Sequence, residues 1–304
     1  MPADRGPHGW LVIDKPLGLT SHRVVEHIRR RTGAKAGHAG TLDPLATGVL
    51  PVALGEATKI VAYAMNGRKR YRFGIRWGIA RATDDAEGEI VGESSSRPGR
   101  AAIEAILPRF TGITAQVPPV YSAIKVGGQR AYALARAARP PSLGPRLVEI
   151  ANLRLIAMPD RDHAEFEAMV GKGTYIRALA RDLGAALGTC GHVAALRRLS
   201  VGPFTEAQAI SLEAVDDRQH IATGCGGLLP IETALDEVPA LVLASAEADR
   251  LRCGQRVTPA DDDGRAQLDR LGIGAVVGAW HDHALIAMAR IEDGGLRPLR
   301  VINC

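Results

Sequence analysis

The sequence predicts an α+β fold: a mixed sheet with flanking helices over residues 1–235, followed by a small β-rich domain over residues 236–304. Three observations carry this. Short apolar strands and amphipathic helices alternate irregularly, with no internal repeat. Residues 71–79 alternate strictly, as a half-buried strand does. The charge balance also reverses near Asp236-Glu237-Val238-Pro239. Residues 1–235 carry 30 Lys+Arg against 22 Asp+Glu, and residues 236–304 carry 8 against 11.

The elements follow in order. Residues 10–13 are a short apolar strand. Thr20 and Ser21 offer a helix N-cap, Val24, Val25 and Ile28 form one helical face, and Gly33 stops the helix. In 71–79, Tyr71, Phe73, Ile75, Trp77 and Ile79 share one side, while Arg70, Arg72, Gly74, Arg76 and Gly78 form a basic open face. Residues 147–158 and 163–170 read as a strand pair. Residues 174–187 read as a helix with Ile176, Leu179, Ala180 and Leu183 on its apolar stripe, ended by Gly188. A strand returns at 196–201. The tail adds strands at 275–280, 284–291 and 299–302. Composition makes 92–99 and 138–145 surface loops.

The 304 residues, 46% hydrophobic, suffice for two packed units. No apolar run matches a bilayer's thickness, and the first six residues lack an apolar signal core, so a soluble cytoplasmic protein without membrane association is expected. Cys190, Cys225, Cys253 and Cys304 stand far apart with no Cys-x-x-Cys pair, which argues against a zinc ribbon and against a disulfide framework. His281 and His283 would share a strand face as solvated residues, and no metal site is expected. The arginine-rich first part suits phosphate contact, although an Arg-rich solvated surface has the same composition.

Three segments carry chemistry. Asp43 precedes Pro44 and follows Gly37, His38 and Gly40. Asp-Pro is a common helix start with Asp as N-cap, but glycines at 37, 40 and 48 also let backbone approach a ligand closely. Arg68-Lys69-Arg70-Tyr71-Arg72 reads equally as a phosphate grip with a stacking ring or as a charged strand edge. Gly171-Lys172-Gly173-Thr174 fails the phosphate-loop pattern, because Phe166 stands where that pattern needs glycine. It reads as a strand–turn–helix corner. Arg177 then sits in the first helical turn, where the helix dipole disfavours a cation, so a carboxylate partner is expected.

Together these segments resemble the bacterial TruB-type tRNA pseudouridine synthases. The resemblance runs over roughly residues 9–204: Gly9-Trp10-Leu11-Val12-Ile13-Asp14-Lys15-Pro16, Gly18-Leu19-Thr20-Ser21, the run from Gly37 to Pro51, Gly55-Glu56-Ala57-Thr58-Lys59, Lys69-Arg70-Tyr71, Val117-Pro118-Pro119 with Tyr121-Ser122-Ala123-Ile124-Lys125, Gly173-Thr174-Tyr175-Ile176-Arg177, and His192 with Leu196-Arg197-Arg198-Leu199. One stretch departs: the family's Arg-Thr-Asp-Thr is replaced around Ile79-Ala80-Arg81-Ala82-Thr83-Asp84, while Asp85 matches the family's loop aspartate.

The resemblance implies a pseudouridine synthase sheet followed by a PUA-like RNA-binding domain. It implies isomerisation of uridine 55 in the T loop of tRNA, with base flipping and no cofactor. Asp43 would be the nucleophile, by attack on C1′ or through a glycal route. Arg177 would pair with Asp43, and Tyr71 would stack on the uracil and serve in proton transfer. Tyr175 and Leu196 would line the base pocket, and His38 would fill the space the base leaves. Residues 125–146 would close over the RNA stem-loop, and the protein would act as a monomer without a protein partner. A non-catalytic tRNA-folding chaperone would keep the basic domain without needing Asp43 or Arg177. A carbohydrate hydrolase would need a second acid that the sequence does not offer.

Overall fold

The computed structural model describes residues 6–137, 139–216 and 227–303. The extreme N-terminus, Ala138, Cys225 and Cys304 lie outside them.

The chain runs β1 (Gly9–Lys15), α1 (Ser21–Thr32), β2 (Ala36–His38), β3 (Ala46–Leu54), α2 (Val61–Asn66) and β4 (Lys69–Trp77). A hairpin, β5 (Ile79–Arg81) and β6 (Ile90–Glu93), leads to α3 (Arg100–Ile106) and β7 (Gly112–Gln116). A second hairpin, β8 (Lys125–Val126) and β9 (Gln129–Arg130), precedes α4 (Ala131–Arg136). Then come β10 (Arg146–Ala157), β11 (His163–Val170), α5 (Ile176–Ala186), β12 (Gly191–Val201), β13 (Phe204–Thr205), β14 (Ile210–Ser211) and β15 (Leu228–Leu229). The tail holds β16 (Ala240–Val242), α6 (Ser245–Arg252), α7 (Asp262–Leu271), β17 (Val276–His281), β18 (Ala284–Glu292) and β19 (Gly295–Val301).

The main sheet has the order β14-β1-β3-β12-β4-β11-β10-β7, and the tail sheet has the order β16-β17-β18-β19. The main sheet is covered on both faces at its β1–β3 end. Leu11 and Ile13 join one core with Val24, Leu50 and Val52, whereas Trp10 and Val12 join another with Val49, Ala53, Leu285 and Met288 of the tail. Strands buried on both faces read as continuous apolar runs. Strand β4 is covered on one face only, by Phe73, Ile75 and Trp77, and its alternation is therefore visible in the sequence.

The tail docks through the 55–59 turn. Lys59 Nζ donates to the Val301 carbonyl at 2.7 Å, and the Asn303 N–H donates to the Glu56 carboxylate at 2.6 Å. Lys59 and Glu56 are themselves paired at 2.5 Å.

Four expectations need correction. Asp43 does not cap a helix. Pro44 and Leu45 form a turn, closed by the Ala46 N–H donating to the Asp43 carbonyl at 3.0 Å, and strand β3 follows. The residues after Pro44 lack helical spacing of apolar positions. Ile79 does not continue β4: Gly78 has φ +84°, the chain turns there, and Ile79 begins the 79–93 hairpin. The basic face of β4 is not free, because Arg70 pairs with Glu167 at 2.8 Å and Arg72 with Glu165 at 2.9 Å across to β11. His281 and His283 do not share a strand face. Asp282 and His283 have φ +48° and +62°, which makes the two-residue turn joining β17 to β18.

Candidate active site

The site is built where β3, β12 and the start of α5 meet. Strands β3 and β12 run parallel there, with Ala46 opposite Leu196 and Gly48 opposite Arg198. They approach so closely at Gly48, φ +97°, that a Cβ would lie well inside van der Waals contact with the Arg198 carbonyl oxygen. Only glycine fits that backbone without strain.

The loop that carries Asp43 is held from behind. Ser21, buried, accepts from the Leu42 N–H at 2.8 Å and donates to the Leu42 carbonyl at 3.0 Å. Thr20 caps α1 by accepting from the Arg23 N–H, which leaves Ser21 to this task. Lys15 is fully buried and donates to the carbonyls of Pro16, Leu19 and Pro44 at 2.8, 2.7 and 3.4 Å. Burial pulls its ammonium down to about 8, against the attraction of Asp43. Arg198, also buried, donates to the Val49 carbonyl at 2.7 Å and the Gly40 carbonyl at 3.0 Å.

Arg177 faces Asp43 from the first turn of α5. Its Nε lies 2.9 Å from Oδ2 and its Nη2 donates to Oδ1 at 3.3 Å, a two-pronged contact that fixes the carboxylate's plane. The other donors are used as well. Nη1 reaches the Thr83 carbonyl at 2.9 Å and lies 3.5 Å from Asp85, and Nη2 also reaches the Tyr121 carbonyl at 2.9 Å. Asp85 is buried and accepts from the Thr83 hydroxyl at 2.5 Å and the Glu87 N–H at 3.1 Å.

Burial pushes the Asp43 carboxyl above its ordinary value. Arg177 pulls it back, Asp85 pushes it further up, and Lys15 opposes that. The Asp43 side chain keeps 37% of its surface open, while Arg177 keeps 6%. The arrangement is an oriented, partly exposed carboxylate backed by a buried guanidinium that is also held to two main-chain carbonyls. Such a carboxylate suits attack on an electrophilic carbon.

Two family models match residues 28–236: "TruB family pseudouridylate synthase (N terminal domain)" over residues 28–176 and "tRNA pseudouridylate synthase B C-terminal domain" over 177–236. A tRNA pseudouridine synthase B of Rhodospirillum rubrum is 52% identical over 97% of this chain and 96% of its own. Another from Bradyrhizobium diazoefficiens is 52% identical over 98% and 87%. The chain belongs to the TruB family of tRNA pseudouridine synthases. In fold, the TruB-family chain is similar to one in the archaeal box H/ACA sRNP Nop10-Cbf5 complex. The TM-score is 0.72 at 24% identity, covering 98% of this chain and 86% of that one.

In this TruB-family synthase, an isomerase, the residues singled out in the sequence lie as follows. Asp43 and Arg177 are in direct contact. Tyr71, opposite Arg198 across β4 and β12, packs on the same core as Leu42, Leu45 and Leu196. Leu196 is opposite both Ala46 and Phe73. Tyr175 immediately precedes α5, and its N–H donates to the Gln116 side chain at 2.9 Å. Burial pushes its phenol up, with Ser122 and Arg177 opposing. His38 stands apart from the Asp43–Arg177 pair, at the end of β2 and near Arg198 and His22. Burial and those two neighbours hold its imidazole below the ordinary value. Its Nδ1 is buried without a hydrogen-bond partner among the described residues.

Lys15, Ser21 and Arg198 hold the reactive loop and Asp85 faces Arg177, roles that were not legible in the sequence. All four lie inside or beside the motifs already quoted. The available signal was a buried-type position occupied by a polar residue, and burial is not visible until the strands pair. Among the described residues no three His, Cys, Asp or Glu side chains converge as metal ligands. No described helix is long and apolar enough to cross a membrane.

Proposed function

We propose that Asp43 is the nucleophile of a synthase that converts uridine 55 in the T loop of tRNA to pseudouridine. The observation that carries this is the two-pronged contact of Asp43 with Arg177, a buried arginine that also donates to the Thr83 and Tyr121 carbonyls and lies 3.5 Å from Asp85. The reaction breaks N1–C1′, turns the uracil, forms C5–C1′, releases the C5 proton and adds a proton at N1, so that the product is an isomer of the substrate. Atoms and electrons balance without a cofactor. Asp43, ionised, either adds to C1′ or removes a ribose proton on the glycal route. Arg177 keeps it ionised and aligned.

Tyr71 stacks on the flipped uracil and lies on the path of the C5 proton. Leu196 and Tyr175 wall the base pocket. His38, neutral and with a free Nδ1, fills the position the base vacates in the RNA, offsetting part of the few kcal/mol that extrusion takes. The boundary between catalytic and PUA-like units falls at 235/236, residues 125–146 close over the stem-loop, and the cytoplasmic enzyme works as a monomer.

The experiment is pseudouridine mapping in a T stem-loop RNA incubated with wild type and Asp43→Asn. Wild type is expected to modify the one T-loop uridine, and Asp43→Asn to bind the RNA with no product. Product from Asp43→Asn would remove Asp43 from the reaction.

A further inference from the structure

Arg181 lies one helical turn beyond Arg177, on the same side of α5. Its guanidinium, like that of Arg177, donates to partners on three sides. Nη1 donates to Asp84 at 2.9 Å, Nη2 to the Val117 carbonyl at 2.7 Å, and Nε to Asp182 at 2.9 Å. The two arginines therefore hold the same two stretches of chain. Arg177 takes Thr83 and Tyr121, and Arg181 takes Asp84 and Val117. Val117 and Tyr121 are four residues apart, as Arg177 and Arg181 are. Among the described residues, these two side chains supply the hydrogen bonds that tie the main chain of 117–122 to α5.

Asp84 adjoins Asp85 and adopts φ +60°, in the left-handed region that aspartate enters more readily than most non-glycine residues. Its carboxyl also feels the charge of Arg177. Without Arg181, Asp84 would be a third carboxylate competing with Asp43 and Asp85 for one guanidinium.

We propose that Arg181 is a positioning residue for the reaction: it sequesters Asp84 and pins Val117, so that Arg177 is left to Asp43. This rests on the reading of Asp43 as nucleophile. The charged groups facing Asp43 are Arg177, Asp85 and Lys15, with Glu87 beside them. Arg181 acts on that set only through Arg177.

The test measures single-turnover pseudouridine formation against pH, together with RNA affinity, for full-length Arg181→Met, Arg181→Lys, Asp84→Asn, the Asp84→Asn/Arg181→Met double variant and Asp43→Asn. Arg181→Met is expected to slow the step by about 10- to 100-fold, the scale of a misplaced reacting group. Its RNA affinity should stay within about twofold of wild type, and its acidic limb should move to higher pH. Arg181→Lys, which keeps one charged donor, should fall between. The double variant should recover part of the rate and move the limb back, because the competing carboxylate is gone.

An unchanged rate and limb in Arg181→Met would overturn the proposal. So would a loss that tracks RNA affinity, or a limb in the double variant that stays where Arg181→Met put it. Should Arg181→Met fail to fold, Arg181→Lys carries the same comparison. Asp43→Asn separates the two readings. If it is inactive and Arg181→Met behaves as wild type, only the role of Arg181 fails. If Asp43→Asn makes product, both fail.

Discussion

Replacing Arg177 by methionine should unbalance the site in a calculable way. Arg177 is 5% exposed and serves two carboxylates and two carbonyls. Methionine fills much of the volume but donates nothing. The Asp43 carboxylate, 37% open at its side chain, regains water, so its share of the loss is small. Asp85, 2% exposed, keeps the Thr83 hydroxyl and the Glu87 N–H but loses its cation. The Thr83 and Tyr121 carbonyls each lose a charged donor, at about 1–3 kcal/mol apiece. The two carbonyls alone come to about 2–6 kcal/mol, which brackets the usual scale of about 3–5 kcal/mol for breaking one side of a buried ion pair. In a domain of this size that lowers the melting temperature by on the order of 10 °C.

The same variant should move the acidic limb of activity. Asp43 acts ionised, and Arg177 is what pulls its raised pKa down. Removing Arg177 raises it further, so the rate falls away at a higher pH than in wild type. Arg177→Lys should keep most of the stability and part of the limb position. It cannot hold the carboxylate's plane, and should lose about 100-fold in rate. Thermal unfolding and release of C5 tritium from labelled T stem-loop RNA read both quantities. A melting temperature and limb both unchanged in Arg177→Met would refute the reasoning.

Two further outcomes follow from the framework around the site. Gly48→Ala should destabilise by about 3 kcal/mol or more and slow catalysis, because the new methyl meets the Arg198 carbonyl at φ +97°. Thermal unfolding checks it, and wild-type stability would mean that β3 and β12 pair differently. Glu56→Gln should loosen the tail by about 1–3 kcal/mol, read as faster hydrogen exchange in β19. Burial pulls the Glu56 carboxyl up, but Lys59 and the Asn303 N–H outweigh it and hold it below 4.5. Its contribution is therefore present above about pH 4.5 and disappears as pH falls through the lower folded value. The two proteins should converge in acid, and a pH-independent gap would contradict this.

Much of the fold was legible wherever one face of an element is wet. Strand β4 shows its period because Arg70, Arg72 and Arg76 face outward. Helix α1 shows its period for the same reason, and the carboxylate partner of Arg177 proved to be Asp43. Strand β3 was not legible. It is buried on both faces, so it has no alternation, and Pro51 and Gly48 punctuate it as a loop would be punctuated. Pro51 is tolerated opposite Val12, with its carbonyl accepting from the Ala39 N–H. The basic run at 68–72 was legible as charge but not as pairing, since Glu149, Glu165 and Glu167 arrive from strands about 80–100 residues later. The contacts that matter most at the site, to the Thr83 and Tyr121 carbonyls, leave no mark on side-chain identity.

The parallel pairing of β3 with β12 also has a meaning in time. Asp43 and Arg177 are 134 residues apart in the chain, and β12, the strand that walls their cleft, follows later still. At the pace of protein synthesis, about 5–20 residues per second, the carboxylate waits roughly ten seconds for its arginine. Such distant pairings form late in folding, after the local hairpins and helices have gathered. The nascent N-terminal half already holds β1, β3 and β4, but the Asp43–Arg177 site has to wait for the chain through α5 and β12. A partly made chain thus has nothing with which to open an RNA loop.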